Sequence, residues 1–113
     1  MALEHLLSPV TVGDLALKNR VVMAPMTRSR ASQADDCVSE LHEAYYSQRA
    51  NAGLIITEGV HPSFDGKGYN RPPGICNEQH VAAWSKVVAA VHNEGGLIAC
   101  QLMPCGRVGP PAN

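Results

Sequence analysis

Three short apolar runs set the strongest limit on what this chain can form: Val21-Val22-Met23-Ala24-Pro25-Met26, Leu54-Ile55-Ile56-Thr57 and Leu97-Ile98-Ala99-Cys100-Gln101-Leu102. None alternates strictly between apolar and polar residues, so each reads as a strand buried on both faces, as in a parallel sheet. Pro25 falls at the end of the first. Parallel neighbours need crossover connections, and the stretches between the runs supply two. Roughly Val38 to Ala50 reads as a helix, closed by Asn51-Ala52-Gly53. Asn77 reads as the cap of a second helix with Glu78 in its first turn, and Val81, Trp84, Val87, Val88 and Val91 recur at helical spacing until Gly95-Gly96. Ahead of all three runs, Pro9 to Asn19 carries Val10, Val12, Leu15 and Leu17 on either side of Gly13-Asp14, the pattern of a small hairpin.

The connections are unequal. Those from helix to strand are short, whereas those from strand to helix are long: the polar stretch from Thr27 to Cys37, and Gly59 to Cys76, which is rich in Gly, Pro, Asn and Asp and reads as a connection without a regular element. Long loops in a compact domain are usually functional, and in strand–helix barrels the site is built on the carboxyl ends of the strands. That places a site above Pro25, Gly59 and Leu102. On pattern alone a closed barrel and an open doubly wound sheet are both available. A nucleotide-binding open sheet calls for a glycine-rich turn after its first strand, and Thr27-Arg28-Ser29-Arg30 stands there instead. A barrel takes eight strand–helix units over about 250 residues, and 113 residues supply three strands and two helices after the hairpin. Such a piece leaves two open edges and uncovered helix faces, so the 113 residues read most simply as a fragment.

Charge narrows the partners. A formal net charge of −1 gives no electrostatic reason to expect nucleic acid or acidic lipid. No stretch is long and apolar enough to span a membrane, and Met1 to Pro9, with Glu4 and His5 among its leucines, lacks the pattern of a signal peptide. Cys37, Cys76, Cys100 and Cys105 form no Cys-x-x-Cys pair and read as free thiols in a reducing compartment, so a cytoplasmic location is expected. Cys100 and Cys105 read as inert. His5, His42, His61, His80 and His92 show no ligand spacing, which gives no reason to expect a metal; His80 and His92 are expected to face solvent on the second helix.

The run Lys18-Asn19-Arg20-Val21-Val22-Met23-Ala24-Pro25-Met26-Thr27-Arg28 resembles the first strand of the Old Yellow Enzyme family. The likeness continues in order through Tyr45-Tyr46-Ser47-Gln48-Arg49-Ala50, Gly53-Leu54-Ile55-Ile56-Thr57-Glu58-Gly59, Gly68-Tyr69, Pro73-Gly74-Ile75, Gln101-Leu102 and Gly106-Arg107, over essentially the whole chain. The resemblance implies a TIM (β/α)8 barrel that binds FMN at the carboxyl ends of its strands, is reduced by NADPH or NADH, and passes hydride to a small-molecule activated alkene such as an α,β-unsaturated carbonyl. It implies that Gln101 meets the pyrimidine edge of the flavin, where a side-chain amide can answer both carbonyl and N–H groups. Thr27 is implied as a hydroxyl donor near the reactive nitrogen, and Pro25, Met26 and Gly59 as main-chain contacts beneath the ring. Tyr69 and Met103 are implied at the substrate cavity, although Met103-Pro104 stands where the family usually has tryptophan and often histidine. Arg28, Arg30 and Arg107 are candidates for steering phosphate, with surface solvation as the plainer role.

The family's carbonyl-binding pair, its proton-donating tyrosine and its phosphate loops correspond to positions after Asn113, so no catalytic residue is assigned within this chain. On this reading residues 1–113 are the N-terminal part of a single α/β barrel domain, an incomplete barrel. The chain is then an N-terminal piece of an FMN-dependent oxidoreductase, inactive alone, which a longer chain or a complementary chain would complete. The alternative is a degenerate remnant that acts as an interaction or regulatory module.

Overall fold

A computed structural model describes residues 2–109. The hairpin forms as its sequence demands. Strands β1 (Val10–Val12) and β2 (Leu15–Leu17) pair antiparallel with Val12 opposite Leu15. Gly13 has φ +59°, which the mirror-image turns of two-residue hairpins require and a Cβ disfavours. One feature went unread: Ala2–Leu6 forms a short helix, α1, before the hairpin. The Leu6 carbonyl accepts the Arg20 N–H at 2.9 Å, so this helix is tied to the approach of the first parallel strand.

Beyond the hairpin, β3 (Val22–Met23), β4 (Leu54–Val60) and β5 (Ile98–Leu102) form a parallel sheet in that order, with β4 central. Helix α2 (Glu40–Ser47) connects β3 to β4, and α3 (Glu78–Asn93) connects β4 to β5. The two helices start on side-chain caps. Ser39 forms a capping box in which His42 Nδ1 accepts the Ser39 N–H at 3.0 Å, and Asn77 Oδ1 accepts the His80 N–H at 2.8 Å. Tyr46 from α2, Trp84, Val87 and Val91 from α3, and Ile55 and Val60 from β4 make the core between helices and sheet.

The central β4 is buried from Thr57 to Val60 on both faces, whereas the two outer strands are not, which corrects for them the expectation of strands buried on both faces. Val22 on β3 is 46% exposed and Leu102 on β5 is 59% exposed, and the consecutive Ala99 and Cys100, which face opposite sides of β5, are both exposed, because β3 and β5 are the edges of the sheet among the described residues. Among the described residues the sheet is open, with β3 and β5 as its edges, and no barrel closes. The first run also pairs over only two residues, while the second extends to Val60. The Gly59–Cys76 connection contains a 3-10 turn at Phe64–Gly66 and an isolated bridge between His61 and Gly74.

Asn51-Ala52-Gly53 does not close α2 as expected. That helix ends at Gln48, in right-handed geometry. Gly53 is needed for another reason: a Cβ there would lie 2.1 Å from the Asn19 carbonyl oxygen. Asn19 is itself buried; its amide donates to the Asn51 carbonyl at 2.8 Å and its Oδ1 accepts the Val21 N–H at 3.0 Å. Lys18 Nζ donates to the Ala50 carbonyl at 2.8 Å and the Gly95 carbonyl at 3.3 Å, placing one cation at the carboxyl ends of both long helices. His80, expected in solvent, is fully buried because its Nε2 reaches the Asp35 carbonyl at 2.7 Å and its Nδ1 accepts the Cys76 N–H at 3.0 Å. No helix among the described residues is long and apolar enough to cross a membrane.

Gly53→Ala is expected to destabilise the chain by about 1–3 kcal/mol, since backbone rather than a flexible side chain must give way. Urea unfolding of parent and variant measures this, and an unchanged midpoint would show that the Asn19 junction yields freely.

Candidate functional site

The carboxyl ends of the three parallel strands lie side by side, and β4 carries an irregularity there. Ile56 faces Ala99 and Gly59 faces Gln101, so β4 advances three residues while β5 advances two. This is a β-bulge at Thr57-Glu58, a device that re-aims side chains near a sheet's end. Thr57 secures it toward β5: its hydroxyl donates to the Glu58 carbonyl at 2.8 Å and accepts the Gln101 N–H at 3.1 Å. Tyr46 secures it from the helix side, its hydroxyl donating to Glu58 Oε2 at 2.7 Å and accepting the Glu58 N–H at 2.9 Å.

Glu58 is therefore a carboxyl group under a helix, 1% exposed. Burial raises its pKa above the ordinary 4.5, against the pull of the Tyr46 hydrogen bond and of Arg28. Burial likewise raises that of Tyr46, with Glu58 adding to the effect, and lowers that of the buried His42. His42 Nδ1 accepts the Ser39 N–H, which places the ring proton on Nε2. That atom lies 4.0 Å from Glu58 Oε2, beyond hydrogen-bond range, and both it and Glu58 Oε1 lack a hydrogen-bond partner among the described residues. Next to this group is a cleft of about 320 Å³ lined by Arg28, Arg30, Leu41, His42 and Tyr45. The Arg28 guanidinium donates to the Tyr45 hydroxyl at 3.1 Å, and this bond raises its pKa.

The residues singled out in the sequence fall into two sets around this bulge. Gly59 and Gln101 are opposite one another across β4 and β5. Met103 lies against Gly59, so closely that a Cβ on residue 59 would come within 2.2 Å of the Met103 methyl carbon. Tyr69, 48% exposed, lines a narrow crevice together with Gly59 and Met103. Pro25, Met26 and Thr27 continue from β3 on the opposite edge of β4, with no recorded contact to Gly59 or Gln101. The Thr27 hydroxyl and the Gln101 side-chain amide have no protein partner among the described residues. Polar groups left free beyond the ends of β3 and β5 suit a flat ring with carbonyl and N–H groups along one edge, whereas the space that a side chain on Gly59 would take is already filled by Met103.

The sequence profile of the NADH:flavin oxidoreductase / NADH oxidase family matches residues 5–111. The chain belongs to this family, the Old Yellow Enzymes. Its members are FMN-dependent oxidoreductases that use NAD(P)H. Among relatives, flavin oxidoreductase hxnT of Emericella nidulans is 42% identical over 113 residues, covering 96% of this chain and 29% of that protein. A probable flavin mononucleotide-dependent alkene reductase of Leishmania infantum is 40% identical over 115 residues, covering 99% and 30%. Morphinone reductase superposes with a TM-score of 0.88 at 47% identity, over 92% of this chain and 27% of that one. The old yellow enzyme of Trypanosoma cruzi gives 0.93 at 38% identity, over 99% and 30%. The chain thus spans less than a third of the length of each of these relatives, and the solved family structures are the TIM barrels of which its open sheet is a piece.

The Tyr46–Glu58–His42 group was not read from the sequence as a site. A signal was present, since Glu58 follows directly on the strand run Leu54-Ile55-Ile56-Thr57, and an acid carried into such a run calls for a partner. Because the folded state raises the Glu58 pKa, it binds the proton more tightly than the unfolded chain does. The associated stability is complete below about pH 4.5 and declines as pH rises through the higher folded value. Glu58→Gln is expected to remove this decline. Unfolding free energies of parent and variant between pH 4.5 and 8 test it, and parallel curves for the two would contradict the assignment.

Proposed function

We propose that this chain forms the flavin-facing N-terminal part of an ene-reductase, an enzyme that reduces activated alkenes such as α,β-unsaturated carbonyls with electrons from NADPH or NADH. The observation that carries this reading is the Gly59–Gln101 pair at the bulge. The Thr57 hydroxyl accepts the Gln101 main-chain N–H and fixes that residue at the strand end, and the Gln101 side-chain amide has no hydrogen-bond partner among the described residues.

In this reading Gln101 meets the polar edge of FMN, and Pro25, Met26 and Gly59 offer main chain beneath its ring. Bound FMN supplies hydride transfer to the alkene. Thr27 donates its hydroxyl toward the ring, which favours the electron-rich reduced form. Gln101 orients the ring by accepting from its N–H and donating to a neighbouring carbonyl. Met103, held against Gly59, and Tyr69 across the crevice border the alkene, and the flexible thioether lets that wall adapt to substrates of different shape. Stabilisation of charge on the substrate carbonyl falls to groups contributed by the remainder of the barrel, in a longer protein or a complementary chain.

Removing the amide with Gln101→Leu is expected to weaken FMN binding about 5–30-fold, the range for losing one or two buried hydrogen bonds. Thr27→Ala is expected to lower the flavin reduction potential. Fluorescence titration with FMN and equilibrium photoreduction, on the chain joined to the complementary remainder of a family barrel, measure both. A Gln101→Leu protein that binds FMN as tightly as its parent would remove the basis of this assignment.

A further inference from the structure

A second group of chemically capable side chains lies in the loops, and one of its members, His61, lines the same crevice as Gly59, Tyr69 and Met103. Cys76 Sγ is 3.3 Å from His61 Nδ1. On the other side of the ring, His61 Nε2 is 3.2 Å from Asp36 Oδ2, too poorly aligned to count as a hydrogen bond and without any other partner. His61 is 2% exposed and Asp36 is 4% exposed. A thiol, an imidazole and a carboxylate therefore stand in the order used for assisted nucleophilic attack, although they come from three separate stretches of chain.

Surrounding contacts fix each member. Asp36 has φ +58°, and its N–H is held by the Ser32 carbonyl at 2.9 Å while its own carbonyl accepts the Gly74 N–H at 3.0 Å. Lys67 Nζ takes the other carboxylate oxygen at 2.9 Å. The His61 ring packs on Phe64, with centroids 5.9 Å apart. Gly74 clears the space for the rings, because a Cβ there would come within 2.6 Å of His61 Cε1 and 2.8 Å of His80 Cε1. The Cys76 N–H is anchored by His80 Nδ1. Cys76 is itself half-buried and so open to solvent on one side, and a cleft of about 330 Å³ lies on the carboxylate side of the group, lined in part by Asp36, Phe64, Lys67 and Asn77 but by neither Cys76 nor His61.

We propose that Cys76, His61 and Asp36 form a nucleophilic thiol site that adds to electron-poor alkenes, with His61 as the base and Asp36 as the group that orients it. The site does not depend on flavin. As sulfur bonds to the β-carbon of the alkene, the thiol proton passes to His61 Nδ1 and the π electron pair moves toward the electron-withdrawing group. The α-carbon then takes up a proton, from His61 or by exchange with water, and leaves a thioether with no oxidant or reductant consumed. Burial raises the Cys76 pKa and lowers that of His61, with Asp36 opposing the latter and Lys67 and His80 adding to it. At neutral pH the pair accordingly rests as thiol and imidazole, and the proton moves during attack. In the resting thiol the His61 carbonyl, 3.4 Å from Sγ, is a second acceptor for the same proton.

N-ethylmaleimide, a small uncharged electron-poor alkene, is the probe. The full chain is pulsed with it from pH 5.5 to 9, and labelling of Cys37, Cys76, Cys100 and Cys105 is quantified by peptide mass spectrometry. Cys76 is expected to label about tenfold or more faster than the exposed Cys100 at pH 7, a modest share of what a positioned base contributes. Its rate should level off once His61 is neutral, whereas that of Cys100 keeps rising toward the range where a thiol ionises. His61→Gln should abolish the advantage, and Asp36→Asn, which keeps a residue type tolerant of the left-handed backbone, should reduce it. Buried Cys37 reports on folding: if His61→Gln exposes it, Asp36→Asn decides. The proposal is overturned if Cys76 labels no faster than Cys100, if all four thiols react alike, or if the folded variants label Cys76 as fast as the parent.

Discussion

Placing a carboxyl group beneath α2 is the constraint on which the rest of the sheet depends. Glu58 cannot be withdrawn from water without a partner, and Tyr46 answers with two hydrogen bonds, one to the side chain and one to the main chain of the same residue. The second bond matters as much as the first. It holds the Glu58 peptide where the ordinary ladder with β5 is interrupted, so the bulge keeps its main-chain donors satisfied. Thr57 does the corresponding work toward Gln101. The relative placement of Gly59 and Gln101 thus follows from a helix residue and two polar groups in an otherwise apolar strand.

Features whose causes are local were legible in the sequence. Gly13-Asp14 specifies its hairpin by turn geometry, and Asn77 announces a helix whose Trp84, Val87 and Val91 recur on one face. The order of strands and helices follows from runs and punctuation. Features that depend on distant partners were not legible. His80 looks like a solvent-facing helix residue until the chain folds back to bring the Asp35 carbonyl against it. Gly53 looks like a helix stop, yet what excludes a side chain there is the backbone of Asn19, thirty-four positions earlier.

The candidate site shows the same division. The residue types and the strand-end position of Gln101, Thr27 and Gly59 come from the sequence, as does the likeness that links them. The bulge does not, because register between two strands is set by packing rather than by either strand's composition. Nor does the grouping of Cys76 with His61 and Asp36, since no spacing rule connects a residue before α2, one after β4 and one before α3.

Lys18 and Asn19 give the molecule a second kind of organisation. Their bonds gather the end of the hairpin, the start of β3 and the turns following both long helices at the amino ends of the strands. Gly59, Gln101 and Thr27 stand at the other ends. Load and chemistry are therefore separated along the strand axis by the length of the strands. A change in length or residue type in the upper loops would therefore leave untouched the junction that keeps the strands in step.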